Sequence, residues 1–517
     1  MPKILSIKIP KIPLKLPELS REEELFLLVA KQAIQFTNQS KQIEEQAIQL
    51  TDQSKQIEEQ EKQIKSLTIE NKELKRRLNM NSDNSSKPSS TDGYKKGDKN
   101  KNRSLKGKSD KKRWGQKWHK WATLLPFKKP DTIEVLEVAT CSGCGWSLTD
   151  TPMVNIQKRQ VLDIPEPTYF VHEYQWWEKQ CPCCQTITKS QFPYGVVGDI
   201  QIGPNIKTHS CYIYNHGIVS YQRIAEYFQE IYQFSISQTS LMKFNKEGYV
   251  ALDPVSQCIS NAIKKDSIQH NDETGTRIAG STKWIHVAST KLLTAYKAHR
   301  KRWWEAIADM WTLVGFLWKV VHDHWMPYFS YEECMHILCN AHHLRELIAV
   351  IQNENTTTTW AQPMIDCILW AKKLKDEAIS RGEDHLEEKI LQEIHTEYQR
   401  VIVIGVWEYP EVLRQPGTRG KIKKPKGQNL LERLRKHEAG TLEFVHDFNV
   451  PFDNNLAERD LRMIKVRTKV SGCFRSFEWA EWFCRIRGYI STMRKQWLPI
   501  YPAMKSMFEG QVIFPNL

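Results

Sequence analysis

The sequence predicts a multidomain α+β chain, and three patterns carry that expectation. They are a heptad stripe near the N-terminus, two CxxC turns within a strand-like stretch, and a succession of strands and helices punctuated by acidic residues. With 517 residues there is room for roughly three domains. Hydrophobic residues make up 40% and charged residues 26%, as in a folded soluble protein, and no apolar run approaches the ~18 residues that span a bilayer as a helix. Lys and Arg exceed Asp and Glu by 14, which points to a polyanionic partner. Twelve cysteines are too few for a disulfide scaffold, so the thiols are expected free or on metal in a reducing compartment.

Residues 1–20 alternate apolar residues with Lys and Pro and read as an N-terminal arm without a signal-peptide core. From 21 to 79 Pro and Gly are absent, and TNQSKQIEEQ at 37–46 returns as TDQSKQIEEQ at 51–60. Phe36, Ile43, Leu50, Ile57, Ile64, Asn71 and Leu78 recur every seven residues at heptad position a, with Leu67 and Leu74 at d. Such a stripe requires a partner helix, so 21–79 reads as a coiled coil rather than a solvated single helix, and one polar Asn at a favours a parallel, in-register homodimer. The polar Gln39, Gln46, Gln53 and Gln60 at the earlier d positions weaken the first half of the pairing.

Residues 80–130 break this pattern with NSDNSSKPSSTDG and then a basic run. Between Tyr94 and Lys120 twelve Lys/Arg face Asp98 and Asp110, a net +10 that includes Lys111, Lys112 and Arg113. A stretch of this composition builds no core by itself but can displace counterions from phosphates, whether as a DNA-binding arm or only a solubilising linker.

A zinc-ribbon-like β module is expected over 131–195. Cys141-Ser-Gly-Cys144 and Cys181-Pro-Cys-Cys184 offer four thiolates for a structural Zn²⁺, with Cys183 a spare, and VNIQKRQVLDI and TYFVHEYQWW between them look strand-forming. Residues 196–264 then read as helices, either a DNA-binding element or a connector.

After residue 265 come three strands, the first ending at Asp272, then a helix, a fourth strand ending at Asp323, a long helical region, and Glu458 at the start of a basic helix. Three strands, a helix and a strand open a ribonuclease-H-like fold, in which strand-end Asp residues lie side by side and a late helix adds a third carboxylate. Carboxylates suit two Mg²⁺ (or Mn²⁺) ions, which promote in-line displacement at phosphodiesters. Asp453 and Asp460 compete with Glu458 for the third position, although residues 458 and 460 point to different sides of a helix. Arg459, Arg462, Lys465, Arg467 and Lys469 would line a phosphate track, and RGKIKKPKG at 419–427 forms a second basic patch.

HNDETG, KWIHVAST, VVHDHWMPYF, LCNAHHLREL, VPFDNNLAERDLRMIKV and KVSGCFRS resemble the transposases of the insertion sequence 66 family, as do NSSKPSSTDG, the paired CxxC turns and FCRIRGYISTMRKQ. The resemblance covers most of 30–510. It implies a DDE transposase whose catalytic core (265–340 with 441–480) is interrupted by a helical insertion (341–440), followed by a C-terminal helical segment (481–517). Asp272, Asp323 and Glu458 would be its catalytic and metal-binding acids, spaced 51 and 135 residues apart. Cys339-x-x-His342 resembles a pair that follows the second Asp in several transposase groups, either supporting the site or forming a buried structural pair. The implied activity is metal-dependent cleavage at element ends and transfer of the 3′-hydroxyls into target double-stranded DNA, and the resemblance also implies small accessory proteins of the same element as partners. The expected location is cytoplasmic, nucleoid-associated on DNA. The rivals are a nuclease on the same fold and an inactive or repurposed DNA-binding protein.

The resemblance also bears on composition, since Trp (18) is high and Gly (23) low. Family members would carry Gly where Trp114, Trp118, Trp121, Trp303 or Trp304, Trp318, Trp479 and Trp497 stand. Codons reading UGA at these positions would mark them as glycines in the native host; UGG would make them ordinary tryptophans.

Overall fold

The computed structural model describes residues 21–78, 125–193, 195–353, 359–409 and 424–517. The N-terminal arm, the basic run with Lys111, Lys112 and Arg113, Trp114, Trp118 and Trp121, and most of the 419–427 patch lie outside the described residues. The chain divides into two compact units, one ending at Ser82 and the other beginning at Asp83.

The first unit contains one helix, α1 (Arg21–Leu78). Its Pro-free and Gly-free sequence sustains an unbroken helical ladder, and the 14-residue repeat recurs in its contacts. Thr37 donates to the Ala33 carbonyl, and Thr51 donates to that of Ala47. Phe36, Ile43, Leu50, Ile57 and Ile64, one above another on the helix, are all exposed.

The described part of the second unit, from residue 125, begins with little regular structure. A short antiparallel hairpin pairs β1 (Glu178–Gln180) with β2 (Ile187–Lys189), and Thr140 and Ser147 form an isolated bridge. The strands expected within 154–164 and 168–177 are not formed. A strand needs a ladder partner, and here Val154, Val161, Ile164, Phe170 and Val171 find neither pairing nor burial.

Four helices follow: α2 (Pro204–Asn215), α3 (Tyr221–Tyr232), α4 (Gln238–Ala251) and α5 (Asp253–Lys265). Ser220 and Ser237 cap α3 and α4 by accepting from Arg223 N–H and Ser240 N–H. Next come β3 (Ile268–Ile278), β4 (Ser281–Ser289), β5 (Thr294–His299), α6 (Trp304–Met310), β6 (Lys319–His322) and β7 (Met335–Leu338). They form one mixed sheet in the order β5-β4-β3-β6-β7, antiparallel from β5 to β3 and parallel from β3 to β7.

The remaining helices are α7 (Asn340–Asn353), α8 (Ala361–Arg381), α9 (Glu388–Glu408), α10 (Lys426–Lys436), α11 (Glu438–His446), α12 (Asn455–Ser471), α13 (Phe477–Lys495) and α14 (Ile500–Phe508). Two large apolar cores pack against the sheet, beside a smaller one around Phe316, Val320 and Tyr328. One joins α2–α5 and α12–α14 to β3–β5, and the other joins α7–α11 to β6 and β7. Gly440 lets α11 lie directly on β7, because a Cβ there would sit 2.1 Å from the His336 carbonyl oxygen. Among the described residues no helix is long and apolar enough to cross a membrane.

Among the described residues, two tryptophans occupy left-handed backbone. Trp497, just beyond α13, has φ +58° and is 94% exposed, and Trp311 caps α6 at φ +66°. A bulky side chain is costly there, whereas Gly is not. Trp479 differs, since its ring packs edge-on to Tyr221 at 6.0 Å. Trp497→Gly is therefore expected to stabilise the protein by about 1 kcal/mol, and Trp479→Gly to destabilise it. Denaturant midpoints of the two variants check both signs.

Candidate active site

Strand register explains how acids 51 residues apart meet. In the parallel β3–β6 pair, His270 lies opposite Val321, so Asp272, which lies within β3 rather than at its end as expected, and Asp323, one residue past β6, each stand two residues beyond that pair. Adjacent strands are about 4.8 Å apart, which brings the two side chains close. Asp323 lies just past β6 and accepts from Trp325 N–H at 3.1 Å, an Asx turn that ends the strand. Asp272 accepts from Glu273 N–H at 2.8 Å. Loss of solvation, then the charges of Glu273 and Asp323, and to a smaller degree that of Glu458, hold Asp272 well above the usual carboxylate range. Glu458 is 186 residues from Asp272, yet its charge is felt there.

Asn454 accounts for that approach. Immediately before α12, its side chain accepts from His270 Nδ1 at 2.9 Å and donates to the Asn271 carbonyl at 2.8 Å. Its backbone N–H donates to Cys339 Sγ at 3.1 Å. The start of α12 is thereby fastened both to β3 beside Asp272 and to the β7–α7 junction, with Glu458 one turn further on. From α7, His342 Nδ1 and Arg345 approach Glu458 Oε1 at 3.8 and 3.6 Å. That oxygen is buried and has no hydrogen-bond partner. Among the described residues, Cys339, His342 and Glu458 form the three-ligand group whose donor atoms all lie within 4.8 Å of one another.

A second network secures the other side. Glu273 accepts from Arg302 at 2.9 and 2.6 Å and from the Tyr328 hydroxyl at 2.7 Å. Arg302 is itself held between the rings of Trp284 and Trp325, at 4.8 and 4.3 Å. Burial, followed by the charge of Asp323, pushes Glu273 up to about 7 despite these donors. The sequence reading missed Asn454, Glu273, Arg302 and Tyr328. The signal available was weak: two polar residues, Glu273 and Asn454, directly adjoin residues already singled out.

The competing acids have other partners. Asp460 accepts from Ser289 at 2.6 Å, Thr294 at 3.0 Å and Lys495 at 2.8 Å, which tie α12 to β4, β5 and α13. Asp453 accepts from Asn455 N–H at 3.0 Å at the entry to α12. On the basic helix, Arg459, Arg462, Lys465 and Lys469 are exposed, but Arg467 is not. At 5% exposure it is enclosed by the rings of Tyr214, Phe474 and Phe483, so the expectation that it contacts DNA is corrected. It continues the inward stripe of Ala457, Leu461 and Ile464.

The two cysteine turns share one hydrogen-bond pattern. Cys141 N–H donates to Trp146 O and Gly145 N–H to Cys141 O; Cys181 N–H donates to Thr186 O and Gln185 N–H to Cys181 O, all at 2.9 Å. Gly145 and Gln185 take positive φ at equivalent places. Backbone N–H groups of Gly143 and Cys144 lower the Cys141 thiol, and the Thr186 hydroxyl leads in bringing Cys184 to about 7. Each turn thus favours thiolates. No three of the four thiols meet within one coordination sphere.

Asp272 within β3, Asp323 just past the neighbouring β6 and Glu458 on the late basic α12 all lie in the stretch that a transposase family model matches. It is described as Transposase IS66 family and matches residues 199–481. The chain belongs to this family. No curated protein matches the sequence.

Proposed function

We propose that this transposase works as a DDE enzyme, with Asp272, Asp323 and Glu458 holding a divalent metal pair at a ribonuclease-H-like core. The observation that carries the reading is the β3–β6 register, which aligns Asp272 with Asp323, together with the charge of Glu458 felt at Asp272. The sheet order and its change from antiparallel to parallel support the fold. The residues suit a divalent ion: mutual repulsion among the carboxylates favours added positive charge, and Glu458 Oε1 is buried without a hydrogen bond. When bound, Mg²⁺ or Mn²⁺ supplies activation of the attacking oxygen and stabilisation of the leaving one.

The protein residues orient this chemistry. Asn454 fixes the approach of α12, and Glu273 with Tyr328 couples β3 to the segment after Asp323. Water attacks at the element end first, and the freed 3′-hydroxyl then attacks target DNA. The exposed a stripe of α1 would pair two protomers and hold two ends together. Cys141, Cys144, Cys181 and Cys184 would gather around a structural Zn²⁺, and this module with Lys111, Lys112 and Arg113 would grip DNA.

The decisive experiment incubates the full chain with its own element ends and Mg²⁺ or Mn²⁺. Cleavage and joining should occur, and Asp272→Ala, Asp323→Ala and Glu458→Ala should each abolish both. Cutting without joining of pre-cleaved ends would indicate a nuclease; no loss in the variants would remove the triad. On α12, Arg462→Gln with Lys465→Gln is expected to weaken DNA binding across sequences and lower the salt slope by about 2. Unchanged slopes would mean this face does not meet phosphate.

A further inference from the structure

We propose that Cys339, His342 and Glu458 form a soft-donor site for Zn²⁺, and that Zn²⁺ held there withdraws Glu458 from the catalytic metal pair and inhibits the enzyme. The inhibitory part rests on Glu458 being a catalytic ligand; the binding part does not. Three separate observations converge. His342 Nδ1 and Glu458 Oε1 are both buried without hydrogen-bond partners, yet face each other at 3.8 Å, too far for a hydrogen bond. Cys339, 1% exposed, places its sulfur within 4.8 Å of both donors. Its Sγ accepts from Asn454 N–H at 3.1 Å, the kind of backbone contact that steadies a metal-bound thiolate.

Ligand chemistry decides which ion is favoured. Zn²⁺ takes sulfur at about 2.3 Å and nitrogen at about 2.0 Å in a tetrahedron, so the donors must close by roughly 1 Å. Mg²⁺ requires hard oxygen ligands and gains little from a thiol or an imidazole. Glu458 would thus serve two coordination sets, the proposed all-oxygen set with Asp272 and Asp323 and a sulfur–nitrogen set toward α7. Zinc binding releases the Cys339 proton to solvent, forms Zn–S, Zn–N and Zn–O bonds, and leaves a fourth position for water. No redox change is involved. Arg345, 3.6 Å from the same oxygen, must turn away.

The test uses the full chain with Cys141, Cys144, Cys181 and Cys184 changed to Ser, which removes the other thiol pairs. Co²⁺ titration should give one equivalent with the charge-transfer absorption of a single thiolate, displaced by Zn²⁺. That absorption should vanish in Cys339→Ser, which keeps an acceptor for Asn454 N–H, and the equivalent should be lost in His342→Ala. No thiolate absorption before these further changes overturns the proposal, as does an unchanged metal count after them. In the native chain already loaded with one Zn²⁺ for Cys141, Cys144, Cys181 and Cys184, a further equivalent of Zn²⁺ should reduce Mg²⁺-supported cleavage at least tenfold, and Cys339→Ser should relieve most of that inhibition. Equal inhibition in both would overturn the regulatory claim. Absence of any cleavage, with the metal count intact, would fault the transposition chemistry instead.

Discussion

Asp272→Asn is expected to reduce cleavage by about 10³-fold or more while raising the thermal midpoint of the metal-free protein. Loss of solvation and the charges of Glu273 and Asp323 lift the folded-state pKa of Asp272 well above the unfolded value, so its ionised form opposes folding. This cost is absent at low pH. It begins as pH rises through about 4, where the unfolded carboxyl ionises, and grows up to the folded pKa. Asn keeps the acceptor for Glu273 N–H, which donates at 2.8 Å, and removes the charge. The gap in melting temperature between variant and parent should therefore open with pH in EDTA. Mg²⁺ should reverse the order, because it stabilises only the form that binds it. Melting curves from pH 4 to 8, with and without Mg²⁺, check both signs. A variant no more stable than its parent in EDTA would exclude uncompensated repulsion at this carboxyl.

Local pattern made some of this architecture legible and left other parts hidden. The three-strand, helix, strand succession after residue 265 could be read because strand alternation and turn residues are local signals. Asn454 could not be read that way. Its partners His270 and Asn271 are 184 and 183 residues away, and only tertiary approach makes an ordinary helix-entry Asn into a fastening. Glu273 was equally hidden, since Arg302 reaches it from the loop before α6 and Tyr328 from the short 3-10 helix Met326–Ser330. The strand expectation within 154–177 failed for the converse reason: alternation describes how a segment could pair, not whether a partner is present. Arg467 was legible in principle. Ala457, Leu461 and Ile464 set the inward phase of α12, and position 467 continues it. Charge alone had placed it with its exposed neighbours.

Arg467→Ala is accordingly expected to destabilise the protein by about 3–5 kcal/mol, through a cavity and the loss of three ring contacts. The guanidinium lies 4.4, 4.6 and 4.8 Å from the ring centres of Tyr214, Phe474 and Phe483, and it donates to the Tyr214 hydroxyl at 2.5 Å. It thus joins α12 to α2, to the segment after α12 and to α13. Two effects compete in any replacement: removing a buried cation relieves its desolvation cost, while removing its bulk leaves the rings unsupported. Arg467→Met separates them, because Met fills similar volume without charge. If volume dominates, Met should cost less than about 1.5 kcal/mol. If attraction between cation and rings dominates, Met should approach the Ala value. Denaturant unfolding of both variants decides between these. DNA binding supplies the independent control, since a residue enclosed by three rings neutralises no phosphate. Arg467→Met should leave the salt slope unchanged, in contrast to Arg462→Gln with Lys465→Gln, and a fall of about 1 would put the guanidinium on the DNA after all.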